Sequence, residues 1–447
     1  MQPLDIAVIG TGISGMAAAW LLSQNHRVTV YEQDHRIGGH SHTIDVPVGD
    51  RTMPVDTAFM VYNEPNYPNL TVLLRLLEVP TRSSDMSFAV SLGDGDVEYS
   101  GTNLASLFAQ KRNLLRPRFW LMLRDILRFN RDAPALLDIP DNELMTLGRF
   151  LEERNYSRSF IDEHLLPMAG AIWSAPVNMM RDHPAAEFVR FCDNHGLLQL
   201  RNRPLWRSVE GGSREYVRRL TAHYADKIRL NCGATSIQRS GDGVKVLDSR
   251  HEVSRYDQVV VAAHADQALQ LLEAPTSREE AVLGAFRYQP NDAVVHRDED
   301  LMPKRRNVWS SWNYIGGRDG AQMKDLCATY WLNRLQGLPD ENPLFLTLNP
   351  VVRPKPELTL HNFNYLHPIF DIAAARAQRQ LWSLQGRSRV WYCGAYFGAG
   401  FHEDGLQAGL AVAEALGGAR RPWKVANPSG RIYLDPTPVF GDALAVT

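Results

Sequence analysis

The 447-residue chain is poor in several features, and each scarcity excludes a class of protein. Its four cysteines, Cys192, Cys232, Cys327 and Cys393, are scattered and form no CxxC pair. That excludes a disulfide framework and a thiolate zinc site, and predicts reduced core thiols in a cytoplasmic protein. No apolar run is long enough to span a bilayer, so any membrane contact is expected to be peripheral, on the inner face of the cell membrane. Lys and Arg number 48 and Asp and Glu 50, a net charge of -2, which leaves no electrostatic case for nucleic acid. There is no internal repeat, no long low-complexity segment, and no histidine spacing of the HxxxH kind, so no metal is predicted. No secretory signal is expected ahead of the first strand, which begins within a few residues of Met1. With 44% apolar and 22% charged residues, the composition is that of a globular protein large enough for more than one domain.

What is present begins at once. Ile6-Ala7-Val8-Ile9 reads as a strand buried on both faces. It runs into Gly10-Thr11-Gly12-Ile13-Ser14-Gly15, then into apolar residues at helical spacing from Met16 to Leu22. A second strand, Arg27 to Tyr31, ends at Glu32-Gln33. This order is that of a dinucleotide fold. Gly10 permits the tight turn, Gly12 admits the pyrophosphate, and Gly15 lets helix and strand pack closely. Ile13 and Ser14 open the helix, whose N-terminal N–H groups and dipole face the phosphates. Glu32 is placed to accept from the adenosine ribose.

Arg36-Ile37-Gly38-Gly39-His40 follows directly. The pattern E-x-x-x-R-x-G-G resembles the FAD-binding extension of glutathione-reductase-like flavoproteins, above all the amine-oxidase and phytoene-desaturase branch, so FAD is the expected cofactor. The nucleotide fold returns twice more. Lys227 to Ala234 and Tyr256 to His264 read as strands, with a hairpin turn at Ser240-Gly241-Asp242-Gly243 and a helix from Ala265 to Leu272. Near the C-terminus, Arg389 to Ala395 reads as strand and turn, Phe397 to Gly405 as a glycine-rich loop, and Leu406 to Leu416 as a helix ended by Gly417-Gly418. This last unit resembles the flavin-end motif of the amine-oxidase superfamily, and Trp206 to Ser213 its Gly-Gly motif before a helix. The resemblance implies FAD contacts at Gly10, Gly12, Ile13, Ser14, Gly15, Glu32, Gln33, Arg36, Gly38, Gly39, His40, Ala58, Phe59, Met60, Ala234, Ala262, Gly394, Phe401, Asp404, Gly405 and Leu406.

The expected fold class is α/β. A glutathione-reductase-like (Rossmann-type) FAD-binding domain, discontinuous in sequence, takes residues 1–68, 204–284 and 378–447. An α+β substrate domain of amine-oxidase type takes 69–203, mainly helical in periodicity, and 285–377, which mixes strands with aromatic loops. No second GxGxxG follows a strand, so reduction by a nicotinamide cofactor is not expected.

A closer likeness rests on Gly38-Gly39-His40, Phe59-Met60-Val61-Tyr62-Asn63, Ser84 to Phe88, Ser106 to Lys111, Ile172-Trp173-Ser174, Tyr330 to Asn333, Phe345 to Pro350, Cys393 to Tyr396 and Phe401 to Gly405. Along nearly its whole length the chain resembles the oxidase-like region in front of plant cyclopropane fatty acid synthases and the bacterial flavoproteins of furan fatty acid synthesis. The resemblance implies a fatty acyl lipid substrate, unsaturated or methylated and phospholipid-bound, and a cyclopropane-synthase-like methyltransferase as partner. The chain departs from amine oxidases in three places: Gln289 to His296 lacks their substrate-domain lysine, Leu406 stands where they carry a cage aromatic, and Tyr396 where they carry an acid.

The expected activity is FAD-dependent oxidation or dehydrogenation of such a chain, with His402, Tyr62, Tyr396 and Glu403 as catalytic candidates. His402 is expected to titrate near neutrality. Glu403 and Asp404 also suit a capping role at the following helix. A histidyl–flavin bond at His361 or His367 is the weaker expectation. Two other classes share the cofactor domain: an amine oxidase or polyene desaturase, and a non-catalytic flavin-binding partner of the methyltransferase. Finally, Lys111 to Arg131 is basic, aromatic and helical in spacing after Pro117, which fits either a membrane-surface helix or a core helix with a solvated basic face.

Overall fold

The computed structural model describes residues 2–48, 51–138, 145–173, 177–199, 203–319 and 322–434. Five strands form one parallel sheet: β1 (Asp5–Ile9), β2 (Arg27–Tyr31), β3 (Ile228–Arg229), β4 (Gln258–Val261) and β5 (Val390–Tyr392). Their spatial order is β3-β2-β1-β4-β5, with β1 at the centre. Ile6, Ala7 and Val8 are fully buried there. That explains why β1 reads as an unbroken apolar run: both of its faces are covered.

The connections out of this sheet carry the site. Gly10, at φ +100°, turns the chain from β1 into helix α1 (Ile13–Leu22). A methyl on Gly15 would overlap the Gly10 carbonyl oxygen, so this glycine sets how closely α1 lies on the strand. From β5 the chain enters helix α4 (His402–Leu416), which packs along α1. A methyl on Gly409 would overlap the Ser14 carbonyl, and one on Gly405 would lie 2.9 Å from Ile13 Cγ2. The two helices therefore meet through glycine, with their N-terminal turns side by side.

Two expectations are corrected here. The stretch from Phe397 to Gly405 is not all loop, because α4 begins at His402. The Asp404 carboxylate accepts from the Phe401 N–H at 2.8 Å and closes the first turn earlier than the apolar periodicity suggested. Lys227 to Ala234 is not one strand either. Asn231 takes φ +49° and donates to the Asp34 carbonyl, so the chain turns after β3 and re-enters a hairpin sheet at Ala234–Ser240.

A second, seven-stranded sheet stands against the first unit. Its order is Thr359–Ile369, Arg287–His296, Phe345–Leu348, Gln322–Trp331, Trp312–Asp319, Phe88–Leu92 and Val97–Ser100. The last two come from the earlier insertion, so strands of both insertions hydrogen-bond in one sheet. The rest of that insertion is helical. It includes α2 (Pro68–Leu76), α3 (Pro117–Asp132), and helices Leu166–Trp173 and Ala185–Asn194. Ser174, quoted in the Ile172–Ser174 motif, and residues 435–447 lie outside the described residues.

The close approach of α1 and α4 yields a sharp expectation. Gly409→Ala forces a methyl onto fixed backbone and should cost about 1–3 kcal/mol or more, read as a lowered melting temperature. Gly241→Ala, in a turn with nothing within 4 Å of the added methyl, should melt like the parent. Equal melting temperatures for the two variants would contradict this account of the helix contact.

Candidate active site

The site begins where β2 ends. Glu32 Oε2 accepts from the Thr11 N–H at 3.0 Å and from the Thr11 hydroxyl, and Oε1 accepts from Asp34 N at 2.9 Å. A carboxylate oxygen has two lone pairs, so Oε1 keeps one acceptor site beyond these bonds. Gln33 packs against Gly233, where a methyl would come within 2.9 Å of its Cβ, and Ala234 follows. The structure thus brings together Glu32, Gln33 and Ala234, three of the residues expected to contact FAD.

The diphosphate cradle lies at the N-terminus of α1. Gly38 donates to the Thr11 carbonyl at 3.1 Å, and a methyl on Gly39 would sit 3.1 Å from Gly12 Cα. Two nitrogens near these glycines, Arg36 Nη1 and His40 Nε2, are buried with no hydrogen-bond partner. Gly12, in contrast, has nothing within 4 Å of where a side chain would start. Open space at the helix N-terminus, flanked by unsatisfied buried nitrogens, fits an anionic diphosphate. Ala262 packs under the turn, its carbonyl oxygen 2.8 Å from where a methyl on Gly10 would lie.

At the start of α4 the side chains around His402 are aromatic or hydroxyl-bearing. His402 Nε2 is held by the hydroxyls of Tyr216 at 2.7 Å and Ser41 at 3.0 Å, which also contact each other. Its ring stacks on Phe59, with centroids 3.7 Å apart and planes 8° from parallel. Phe59 N donates to the His40 carbonyl at 3.0 Å, which ties this layer to the cradle, with Ala58 and Met60 alongside it in sequence. Burial pushes the His402 imidazole down to about 3. The expectation that it titrates near neutrality is therefore overturned, because a ring buried among hydroxyls and Phe59 cannot hold a proton cheaply. Phe401 stacks on Phe191 at 4.7 Å, and Trp173 and His195 complete the wall.

Both carboxylates of this turn face inward. Glu403 accepts from Asn69 N and Nδ2, Leu70 N and Gln407 Nε2, so it caps the N-terminus of α2. The capping role expected of it at the following helix is thus taken up at α2 instead, while Asp404 caps α4 as expected. Asp404 pairs with Arg431 Nε at 2.6 Å as well as with Phe401 N. Burial raises the pKa of both acids, and Arg431 opposes the rise. Among the described residues, no hydrogen bond or ring contact joins Tyr62 or Tyr396 to His402. Tyr62 is buried edge-on to Tyr67, and Tyr396 packs on Phe286 with its hydroxyl buried and unpartnered. Leu406 is fully buried in α4, beside Gly405. Gly394 sits under the Tyr396 ring and leaves no room for a side chain.

Sequence reasoning missed Ser41, Tyr216, Asn69 and Arg431. Ser41 and Tyr216 carried a signal, since each stands just after a Gly-Gly pair. Gly212 is required because a methyl there would overlap Thr43. Asp56 accepts from Ser213 N and Oγ and from Thr43 Oγ1, and so anchors the helix that carries Tyr216. His40, His264 and His367 gather at ring distances of 5.5 to 6.5 Å, with His40 pushed far below the usual imidazole range and His367 down to about 4, mainly by burial. Among the described residues, no group of His, Cys, Asp or Glu is arranged to hold a metal.

Comparison with known proteins gives a consistent picture. The family model described as flavin containing amine oxidoreductase matches residues 13–295. A flavin-containing monoamine oxidase of Mycobacterium tuberculosis, AofH, is 26% identical over 256 residues, 55% of this chain and 54% of that protein. The chain thus spans about half the length of the curated relatives it matches. Cyclohexylamine oxidase from Brevibacterium oxydans IH-35A has the same fold, with a TM-score of 0.68 at 16% identity over 93% of this chain and 99% of that one. A CLA-producing fatty acid isomerase from P. acnes gives 0.65 at 14% identity over 93% and 98%. FAD is the cofactor that the family implies, and the cradle described above fits it.

Two expectations follow. The purified protein should be yellow, and Gly12→Glu should lose flavin absorbance while melting like the flavin-free parent, since the new side chain meets no protein atom near its base. Retained flavin would move the diphosphate elsewhere. The second concerns pH. Ten histidines have depressed values in the folded protein, against three buried carboxyls, Asp56, Glu403 and Asp404, that are raised. Below pH of about 6.5 the unfolded histidines bind protons that the folded ones refuse, so stability falls as the pH drops from about 6.5 toward 4. Thermal melts should show this slope and unfolding at pH 5.5 should take up protons; a flat profile would refute it.

Proposed function

This chain belongs to the flavin-containing amine oxidoreductases, and from that premise we propose that it uses FAD to oxidise or dehydrogenate an unsaturated or methylated fatty acyl chain. When bound, FAD supplies a two-electron acceptor for hydride taken from carbon. We take the substrate to be phospholipid-bound, and the reaction to be a step in forming furan or other modified fatty acids at the cytoplasmic face of a membrane. A cyclopropane-synthase-like methyltransferase is the proposed supplier of the methylated chain.

The observation that carries this reading is the inward turn of both carboxylates at the start of α4. An ammonium substrate needs a negative charge or an aromatic cage close by. Here Glu403 is committed to α2 and Asp404 to Arg431, while a neutral imidazole, Phe59 and Phe401 surround the same turn. Such a lining suits an apolar chain. A C–H beside a double bond yields hydride readily because the positive charge left behind is delocalised; the adjacent C–H of that cation is acidic enough to give its proton to water as the new double bond forms, so no strong base is required. His402 then acts by shape: Tyr216 and Ser41 fix its ring, and the ring with Phe59 forms a flat wall against which an acyl chain can lie. Tyr62 and Tyr396 are proposed as flanking hydroxyls, and the unpartnered Tyr396 hydroxyl leaves a donor to offer. A fatty acid isomerase shares the fold at a TM-score of 0.65, so an acyl substrate is compatible with this architecture.

The likeness to a monoamine oxidase supports amine oxidation as the second reading. Anaerobic mixing separates the two. Unsaturated or methylated phospholipids should bleach the flavin absorbance, and primary amines should leave it unchanged. Bleaching by amines alone would replace the lipid reading, and bleaching by neither would favour a non-catalytic flavin-binding partner. His402→Ala should slow bleaching tenfold or more with FAD content unchanged; lost FAD would instead make His402 part of the cofactor's seat.

A further inference from the structure

We infer that the outer face of α3, with the turn that precedes it, is a docking surface for an anionic phospholipid bilayer. The inference does not rest on the substrate proposed above. Twelve large apolar side chains are exposed among the described residues, and six of them, Leu104, Leu114, Leu115, Trp120, Leu121 and Leu127, fall within residues 104–127. The most exposed is Leu115, at 87%, in the tip formed by the short turn Lys111–Leu115. The tip is fixed. Trp120 Nε1 donates to the Leu114 carbonyl at 3.0 Å, and the Trp120 ring packs on Phe108 at 5.6 Å.

Helix geometry explains the rest. Phe119, Met122, Asp125 and Phe129 are buried, spaced three and four apart on one side of α3. The opposite side carries Trp120, Leu121, Arg124, Leu127, Arg128 and Arg131, of which Arg131 pairs with the neighbouring Asp132. Over residues 111–132 there are seven basic and two acidic residues, in a chain whose net charge is -2. The carboxylates that face this stretch from neighbouring elements are Asp96, which pairs with Arg112 and Arg116, and Glu163, which pairs with Arg118. A surplus of positive charge remains after these pairings. Exposed leucine and tryptophan interleaved with arginine match the interface of an anionic bilayer, where the rings and leucines enter the acyl boundary and the cations meet phosphates.

The inner side of the same helix leads toward the site. Phe129 packs on Phe188, Phe188 on Trp173, and Trp173 on Phe401, with centroids 6.3, 5.8 and 6.2 Å apart. A bilayer on the outer face would therefore be linked by one aromatic layer to the residue just before His402.

The structure also selects the variants. Arg118, Arg124 and Arg128 pair with the buried carboxylates of Glu163 and Asp125, so removing them would leave buried charge unpaired. Leu115, Leu121 and Leu127 are exposed, and Lys111 and Arg131 lie outside those buried pairs, Arg131 in an exposed pair with Asp132. The flavin-loaded protein should co-sediment at low salt with vesicles of phosphatidylglycerol and phosphatidylcholine, weakly with phosphatidylcholine alone, and less as salt rises. The combined substitution L115S/L121S/L127S should weaken binding at least tenfold, and Lys111→Gln and Arg131→Gln about fivefold each, all with unchanged melting temperature and flavin content. The proposal is overturned if the parent ignores anionic vesicles, if it binds phosphatidylcholine alone equally well, or if the triple variant binds like the parent. A parent that ignores vesicles but is a dimer, with a monomeric triple variant, would assign this face to a second copy of the chain.

Discussion

The contact between α1 and α4 is the constraint on which the rest depends. Two helices far apart in the sequence approach closely because Gly405 and Gly409 carry no side chains. Their first turns then lie side by side, and each offers unpaired N–H groups and the positive end of a dipole. One turn opens on the empty space at Gly12, the other on the neutral layer around His402. A bulkier residue at either glycine would push these termini apart, and the phosphate and ring ends of a flavin would no longer face a common seat.

Around that contact, the protein spends its buried charge on architecture and leaves the site uncharged. Glu403 satisfies the N-terminus of α2. Asp404 is matched by Arg431, whose guanidinium also donates to the Asn66 carbonyl and lies over the Tyr67 ring. Asp56, pushed up to about 6 by burial, anchors the helix that delivers Tyr216. With the acids committed in this way, the histidines nearby stay neutral, and the chemistry available at the α4 turn is that of shape and polarisable rings.

How far the sequence anticipated this depended on the range of the interaction. The glycine motif, β1, β2 and Glu32 were legible because strand, turn and helix follow one another within forty residues. Gly15 was read as a packing glycine for the right reason. Gly409 was not, since its partner is the Ser14 carbonyl at the far end of the chain. The start of α4 was misplaced because His402, Glu403 and Asp404 look like loop residues until Asp404 is seen bonding Phe401 N. His402 drew attention as a titrating group, and only its burial between Phe59, Ser41 and Tyr216 shows that it does not titrate near neutrality. Arg431 lies in a polar tail with no motif, and nothing local distinguishes it from an exposed arginine.

The discontinuous parallel sheet also governs when the protein becomes competent. β3 and β4 are made after the first βαβ unit, and β5 and α4 later still. The helices of the first insertion pack on one another, Pro117–Asp132 on Arg158–Phe160 and Ala185–Asn194 on Ala133–Asp138, so that unit is free to collapse before the second insertion is made. The cofactor seat is not: until the residues around Gly409 emerge, α1 has no partner on its open side. Flavin capture thus waits for α4, and a chain truncated before it would hold the first βαβ unit with nothing to retain the ring.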